Sequence, residues 1–248
     1  LTKDQIVKIC DRNFIGCDQL IFIEPDSSAD ANLKFFNSDG GESGACGNGT
    51  RCIAKLISNE TKNETVILTT LNGNLKSQIL ENNIVTTEIG NAKIEWNEIP
   101  LSEKLDTKNL NIKIIDVNDK EYFGGTAVNV GNPHVVFFVD KIENFNIEKI
   151  GPQVENYNIF PEKCNVTIAK LVDKNLIKVK VWERGAGLTK ACGTAACATA
   201  FAGKLNNLTE NKTDIEFQTG RLSIFIDDKD SIHMKGPVSE IKKIEIKL

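Results

Sequence analysis

The chain has 248 residues, 26% of them charged, and its formal net charge at pH 7 is −4. This length fits two domains of about 100 to 150 residues each. A pI of about 5.4 excludes the basic surface that nucleic-acid binding requires, and no apolar run reaches the roughly 20 residues that span a bilayer. We therefore predict two ordinary soluble domains that bind neither nucleic acid nor a membrane.

The first half of the chain predicts two helices and five strands. Thr2 and Gln5 have the spacing of a capping box, which predicts a helix ending near Asp11. Apolar segments predict strands at 20–24 and 33–36, and a helical segment follows at 53–57. Three more strands, at 65–70, 75–80 and 84–89, are separated by turn residues. The non-periodic segment from 91 to 109 predicts a linker.

The second half predicts further strands and two more helices. Strands are expected at 112–117, 121–130 and 135–139, and a helix at 152–157. Strands at 165–169 and 176–182 precede a helix at 198–202, and strands at 214–218, 222–226 and 232–235 follow it. Few helices among many short strands predict the α+β class with mostly antiparallel sheets.

One short pattern occurs twice, as Ala45-Cys46-Gly47-Asn48 and as Ala191-Cys192-Gly193-Thr194. A predicted helix follows each copy, so each thiol is expected at a helix N-terminus. There the helix dipole lowers a thiol pKa, and unpaired backbone N–H groups bind an anion such as a carboxylate. The repeat therefore predicts two thiols acting on one substrate.

The strands after the two helices support a duplication. In each copy two glycines bound the second and third strands, at spacings of 17 residues (Gly73 to Gly90) and 16 residues (Gly220 to Gly236). We therefore predict two homologous domains, 1–95 with Cys46 and 110–240 with Cys192.

The other five cysteines, Cys10, Cys17, Cys52, Cys164 and Cys197, are interpreted as small buried side chains. Without a Cys-x-x-Cys pair, and with only His134 and His233 as histidines, the sequence does not favour a metal site. Working thiols must stay reduced, which favours a cytoplasmic location.

Four separated motifs together resemble the diaminopimelate epimerase family. They are Asn37-Ser38-Asp39-Gly40 leading to the first cysteine motif, Gly131-Asn132-Pro133-His134, Glu183-Arg184-Gly185-Ala186-Gly187, and the second cysteine motif after it. Their order and spacing match over essentially the whole chain.

The resemblance implies two pseudo-symmetric domains, each a mostly antiparallel sheet wrapped around a central helix, with the active site in the cleft between them. It implies epimerisation of L,L-diaminopimelate to meso-diaminopimelate, for lysine and peptidoglycan precursors, without pyridoxal phosphate, metal or other cofactor. Cys46 and Cys192 would be the two proton-transferring groups. The small-molecule substrate would be the partner of a cytoplasmic homodimer.

The resemblance also assigns further site residues. His134 and Glu183 would tune the thiol pKa values. Substrate would be bound by residues of both motifs and of the loops between strands: Gln19, Asn37, Gly47, Asn48, Asn132, Asn165, Glu183, Arg184, Gly193 and Thr194. Taken alone, a single histidine, turn asparagines and an exposed Glu-Arg pair are equally well explained as structural residues.

The chain departs from the family at its start. The family opens with a strand carrying a Gly-Asn-Asp-Phe motif, and Leu1 corresponds to the loop and helix that follow it, so roughly the first 25 family residues are expected to be absent here. The edge of the first sheet would then be exposed. We expect the C-terminal strand, near 241–248, to complete the first domain.

Two alternatives remain open from the sequence. One is another cofactor-independent isomerase of this fold, such as a proline racemase or hydroxyproline epimerase, against which the asparagines and the Glu-Arg pair argue. The other is a non-catalytic or PhzF-like relative that keeps the fold as a scaffold. Such relatives usually lack one or both thiols, whereas this chain has both.

Overall fold

A computed structural model describes residues 1–44 and 46–246 of the chain. The chain divides into two compact units, one of residues 1–88 with the C-terminal segment from 236, the other of residues 89–235. Ala45 of the first cysteine motif, and residues 247 and 248 of the predicted closing strand, lie outside the described residues. In the described part of the chain, no helix is both long and apolar enough to cross a membrane.

The first unit is built on a sheet of order β1-β2-β4-β5-β6. Strands β2 and β4 are parallel and the other neighbours are antiparallel where their registers are defined. Its elements are α1 (Lys3–Cys10), β1 (Gln19–Glu24), β2 (Ala31–Asn37), β3 (Glu42–Ser43), α2 (Gly47–Thr61), β4 (Thr65–Thr70), β5 (Gly73–Ile79) and β6 (Ile84–Asn91). Ala54 and Ile57 of α2 pack on a cluster that includes Phe35, Val66 and Leu68.

The second unit contains a sheet of order β16-β15-β14-β12-β11-β10-β9 and a separate hairpin, β7-β8. Its strands are β7 (Ile112–Ile115), β8 (Glu121–Gly124), β9 (Thr126–Asn129), β10 (Pro133–Phe138), β11 (Asn165–Asp173), β12 (Leu176–Glu183), β13 (Gly187–Thr189), β14 (Lys212–Phe217), β15 (Gly220–Ile226) and β16 (Ser231–Pro237). Its helices are α3 (Ile147–Glu155), α4 (Gly193–Leu205) and a single 3₁₀ turn (Ile142–Asn144).

The two longer helices of this unit pack against different clusters of sheet residues. Helix α4 contacts Val136, Ile177 and Val179, whereas α3 packs with Val135 and residues such as Phe137 and Ile168. Neighbouring residues of a strand point to opposite faces of a sheet, so β10 contributes to both clusters. Ten of the thirteen residues of α4 are buried. Helix α4 is therefore the central helix of this unit.

The order of elements repeats. The series α1-β1-β2-β3-α2-β4-β5-β6 corresponds to α3-β11-β12-β13-α4-β14-β15-β16. In each copy the strands flanking the central helix are parallel, and a short strand (β3 or β13) pairs with the strand before it. The α+β class of two pseudo-symmetric, mostly antiparallel halves is confirmed, and the duplication extends further towards the N-terminus than the sequence pattern indicated.

The capping box of Thr2 and Gln5 is confirmed, whereas a predicted strand and a predicted helix need correction. The predicted strand 121–130 is wrong, because Gly125 has a φ of +107° and separates β8 from β9. Helix α3 begins at Ile147 and not near 152, because the Asn146 side chain accepts hydrogen bonds from the backbone of its first turn, and Pro152 lies inside the helix.

Two chain segments also differ from expectation. The predicted linker 91–109 lies within the second unit, where Ile99 and Leu101 are buried in its core. Residues 241–246 form no strand, and the three isoleucines there (Ile241, Ile244, Ile246) are exposed. Two lysines separate Ile241 from Ile244, so the three isoleucines would not share one face of a strand.

Candidate active site

The first cysteine motif forms the N-terminus of α2. Cys46 is its N-cap residue, with an extended backbone (φ −146°, ψ 94°), and its Sγ accepts a hydrogen bond from the Gly49 N–H at 3.2 Å. The thiol is half-buried. A Cβ at Gly49 would lie 2.3 Å from Ile21 Cδ1 and 2.9 Å from Cys46 Sγ, so only glycine leaves room for this sulfur.

A buried arginine is hydrogen-bonded to the same helix turn. Arg51 is 4% exposed. Its Nη2 donates to Asn48 Oδ1 at 2.8 Å and its Nη1 to the Gly47 carbonyl at 3.3 Å. This positive charge adds to the helix dipole at the end where an anion would bind. Sequence reasoning missed Arg51, although its position three residues after Asn48 on a helix was a usable signal.

Gln19 and Asn37 lie side by side at the edge of the first sheet. They face each other in the β1–β2 register, and Gln19 Nε2 donates to Asn37 Oδ1 at 2.9 Å. In the second copy of the repeat, Asn165 at the start of β11 corresponds to Gln19, and Glu183 at the end of β12 corresponds to Asn37. These two residues are next to Val166 and Trp182, which pair across β11 and β12. Four predicted site residues thus lie at two equivalent positions of the duplicated fold.

The second cysteine motif forms the N-terminus of α4, with Cys192 as its N-cap residue. The buried Cys192 Sγ donates to Glu183 Oε2 at 3.1 Å and lies 3.4 Å from Thr194 Oγ1. Glu183 ends β12, so the sheet and the helix together place this carboxylate beside the thiol. The structure therefore brings together Glu183, Cys192 and Thr194, with Gly193 in the first helical turn.

The predicted lowering of thiol pKa at a helix N-terminus is wrong for Cys192. Burial raises the pKa of this thiol well above its ordinary value, and the negative charge of Glu183 adds to the rise. The Thr194 hydroxyl and the Ala195 N–H act in the opposite direction. Desolvation of the thiolate outweighs the helix N-terminus here, so Cys192 carries its proton.

His134 is fully buried between Asn132 and Asn165, two of the predicted substrate-binding residues. Its Nε2 is 2.8 Å from Asn132 Oδ1, and the Asn165 amide is 3.5 Å away. Burial lowers the pKa of His134 to about 3, and the positive charge of Arg184 contributes. The ring is therefore neutral, and with Nε2 protonated it donates to Asn132, whose amide N–H groups then point away from the ring.

The loop after β12 carries Arg184. Asn165, itself buried, accepts from the Arg184 backbone N–H at 3.0 Å and donates to the Pro133 carbonyl at 2.9 Å. The exposed Arg184 side chain donates to the Glu162 carbonyl at 2.7 Å. Asn165 thus links the start of β10 to the arginine loop.

The remaining thiols are buried or part-buried. Cys10, Cys164 and Cys197 are buried, as predicted, while Cys17 and Cys52 are part-buried. Burial, with the Cys10 sulfur 3.4 Å away, raises the pKa of Cys17 to about 12, and burial also raises that of Cys52. Within residues 1–44 and 46–246, no three His, Cys, Asp or Glu side chains are grouped to hold a metal ion.

Solved structures show the same fold at low sequence identity. A PhzF-family phenazine biosynthesis protein of Bacillus anthracis matches with a TM-score of 0.65 and 16% identity, over 99% of this chain and 90% of that one. A hydroxyproline epimerase from Agrobacterium vitis matches with a TM-score of 0.67 and 13% identity, over 94% and 76%. The fold is that of the PhzF proteins and the amino-acid epimerases and racemases.

Sequence comparison is more specific. The sequence model of the family described as diaminopimelate epimerase matches residues 1–95 and 126–241. The diaminopimelate epimerase of Pelagibacter ubique is 64% identical over 248 residues, covering 100% of this chain and 90% of the relative. That of Acidiphilium cryptum is 39% identical over 240 residues, covering 96% and 85%. The chain belongs to the diaminopimelate epimerase family and is an isomerase.

Proposed function

We propose that the chain converts L,L-diaminopimelate into meso-diaminopimelate by a cofactor-independent, two-base proton transfer between Cys46 and Cys192. The product would serve lysine and peptidoglycan precursor synthesis in the cytoplasm, and the working form would be a homodimer. The observation that carries the proposal is that both cysteines are N-cap residues of corresponding helices in a duplicated fold.

The two thiols differ in a way that suits acid and base roles. Cys192 is protonated and donates to Glu183, whereas the Cys46 sulfur accepts an N–H bond. Cys46 as thiolate takes the α-proton, and the electron pair of the broken C–H bond stays on the α-carbon. Cys192 then delivers its proton to the opposite face, which inverts the centre without one group having to reach both sides.

The carbanion needs a place for its charge. An amino-acid α-proton is barely acidic, and negative charge develops on the adjacent carboxylate as the proton leaves. Gly47, Asn48, Gly193 and Thr194 lie in the first turns of the two helices, where preorganised N–H donors stabilise such charge. Arg51 reinforces the first of these sites.

The far end of the substrate would be held by Arg184 and the asparagines. A guanidinium forms a two-pronged hydrogen bond with a carboxylate, and Asn132, whose Oδ1 faces His134, turns its amide nitrogen away from the ring. Gln19, Asn37 and Asn165 complete this assignment. Lysine lacks the distal carboxylate, so we expect a preference for diaminopimelate of at least about tenfold in kcat/KM.

The test is proton NMR of L,L-diaminopimelate in D2O. The unaltered chain should exchange the α-proton for deuterium and produce the meso isomer. Cys46→Ser and Cys192→Ser should both lose epimerisation, because a hydroxyl is far less acidic than a thiol, whereas the control Cys52→Ser should retain it. Normal turnover by both active-site variants would refute the mechanism.

A substrate with a β-leaving group separates the two roles. Elimination needs only the base, which removes the α-proton as the leaving group departs with its bonding electrons. With an L,L analogue, Cys192→Ser should keep elimination and Cys46→Ser should lose it. The reverse pattern would exchange the roles of the two thiols.

A further inference from the structure

The three-residue turn that joins β12 to β13 has each of its backbone N–H groups bonded. Arg184 N–H donates to Asn165 Oδ1 at 3.0 Å, Gly185 N–H to Glu155 Oε1 at 3.2 Å, and Ala186 N–H to the Glu183 carbonyl at 3.0 Å. The first two acceptors are buried side chains from other elements. The turn that presents Arg184 is therefore exposed but anchored from inside the unit.

Glu155 connects this turn to α3. It is the last residue of that helix and is 6% exposed. Its second oxygen, Oε2, accepts from Trp182 Nε1 at 2.7 Å. Burying a carboxylate costs free energy that its hydrogen bonds must offset, and here the two oxygens bond to two N–H donors on either side of Glu183 and Arg184.

The packing beneath Glu155 is equally specific. Gly151, one helical turn earlier, lies against the Trp182 ring, and a Cβ there would come within 2.3 Å of Trp182 Cγ. The indole is therefore pressed onto α3, and its N–H is aimed at the carboxylate. Because α3 is fixed to the sheet in this way, Glu155 holds the turn at a set distance from a rigid helix.

We propose that Glu155 is a positioning residue for Arg184, setting the place where the guanidinium meets the distal carboxylate of the substrate. The inference rests on the proposed function, which makes Arg184 the ligand of that carboxylate. Arg184 would bind ground state and transition state alike, so misplacing it should raise KM much more than it lowers kcat.

Glu155→Gln is the direct test because it keeps the side-chain volume. An amide offers one acceptor oxygen, so its NH2 group must face either Trp182 or Gly185, both of which are donors. We expect the KM for L,L-diaminopimelate to rise roughly tenfold or more, since small misplacements of binding groups have effects of this size. Glu148→Gln, on the exposed side of α3, is the matched control and should leave KM unchanged.

A second variant guards against loss of folding. Gly185 has a φ of +73° and open space around its Cβ position, so Gly185→Ala strains only the turn. It should fold and also raise KM, whatever happens to Glu155→Gln. Suppose that the unaltered chain turns over diaminopimelate, and that Gly185→Ala and folded Glu155→Gln both have the same KM as the unaltered chain. This result would refute the role of Glu155 and leave the proposed function standing. Absence of turnover by the unaltered chain would refute the proposed function and this inference with it.

Discussion

Gly49→Ala is the substitution by which the geometry around Cys46 is best tested. The new methyl carbon would lie 2.3 Å from Ile21 Cδ1 and 2.9 Å from Cys46 Sγ, whereas carbon atoms in ordinary contact are about 3.5–4.0 Å apart. The Ile21 methyl is the free end of a part-buried side chain and can rotate away. The sulfur is only two bonds from its Cα and accepts the Gly49 N–H, so it can move only by losing that hydrogen bond or by shifting the helix N-terminus.

The two displacements have different consequences. Overpacking of this kind costs about 1–3 kcal/mol of folding free energy, which corresponds to a fall in melting temperature of about 2–4 °C for each kcal/mol in a chain of this size. A reacting group displaced by about 1 Å loses roughly a hundredfold in rate. Activity should therefore fall far more than stability.

The assay is the initial rate of diaminopimelate epimerisation, measured beside thermal unfolding. Gly124→Ala is the control, because its Cβ would meet no atom within 4 Å. That variant should match the unaltered chain in both measurements. If Gly49→Ala kept kcat/KM within about threefold of the original, the sulfur would not depend on Gly49 for its position, and our reading of the first motif would be wrong.

Three further results are expected. Glu183→Gln removes the negative charge that helps to raise the pKa of Cys192. The Cys192 thiol should then lose its proton, and the enzyme should lose its activity, at a lower pH than in the unaltered chain. A high-pH limb of the kcat profile at the same pH in both proteins would contradict this. The folded-state pKa of His134, about 3, lies below its ordinary value of 6.5, so the contribution of His134 to stability is complete above pH 6.5 and falls as the pH drops from there towards 3. His134→Gln should therefore flatten this part of a plot of melting temperature against pH. An equal slope in the variant and the unaltered chain would contradict the buried neutral ring. Iodoacetamide at neutral pH should modify Cys46 first, because this thiol is only half-buried and its sulfur accepts the Gly49 N–H, which favours the thiolate. Four of the other thiols are buried, and burial raises the pKa values of Cys17 and Cys52. Peptide mass spectrometry showing another cysteine labelled faster would contradict this.

The sequence predicted those features that depend on local chemistry. The capping box at Thr2, the strand 65–70 and the two cysteine-led helices follow from side-chain spacing and turn residues, and the structure has all of them. The strand break at Gly125 was missed because Gly124-Gly125 lies inside an otherwise continuous β-forming run. The sequence pattern did not predict the start of α3, because a proline favours the first turn of a helix, whereas Asn146 is the N-cap and Pro152 lies further along the helix.

The site was predictable in its residue types but not in its electrostatics. A helix N-terminus is visible in sequence, whereas the desolvation of Cys192 and the approach of Glu183 depend on how β12 meets α4. The pKa of Cys192 therefore moved opposite to expectation. Likewise, nothing near Glu155 in sequence connects it to the arginine turn 30 residues later. Contacts of this range come from tertiary packing alone.

The composition of α4 limits how far its half of the duplication can diverge. Five alanines, Ala195, Ala196, Ala198, Ala200 and Ala202, and the adjoining Gly203 are all buried, so enlarging any of them would force a strand outwards. Helix α2, by contrast, exposes Asn59, Glu60 and Thr61. A fluorophore or affinity tag can therefore be attached at the far end of α2, while α4 offers ten buried positions that tolerate little change.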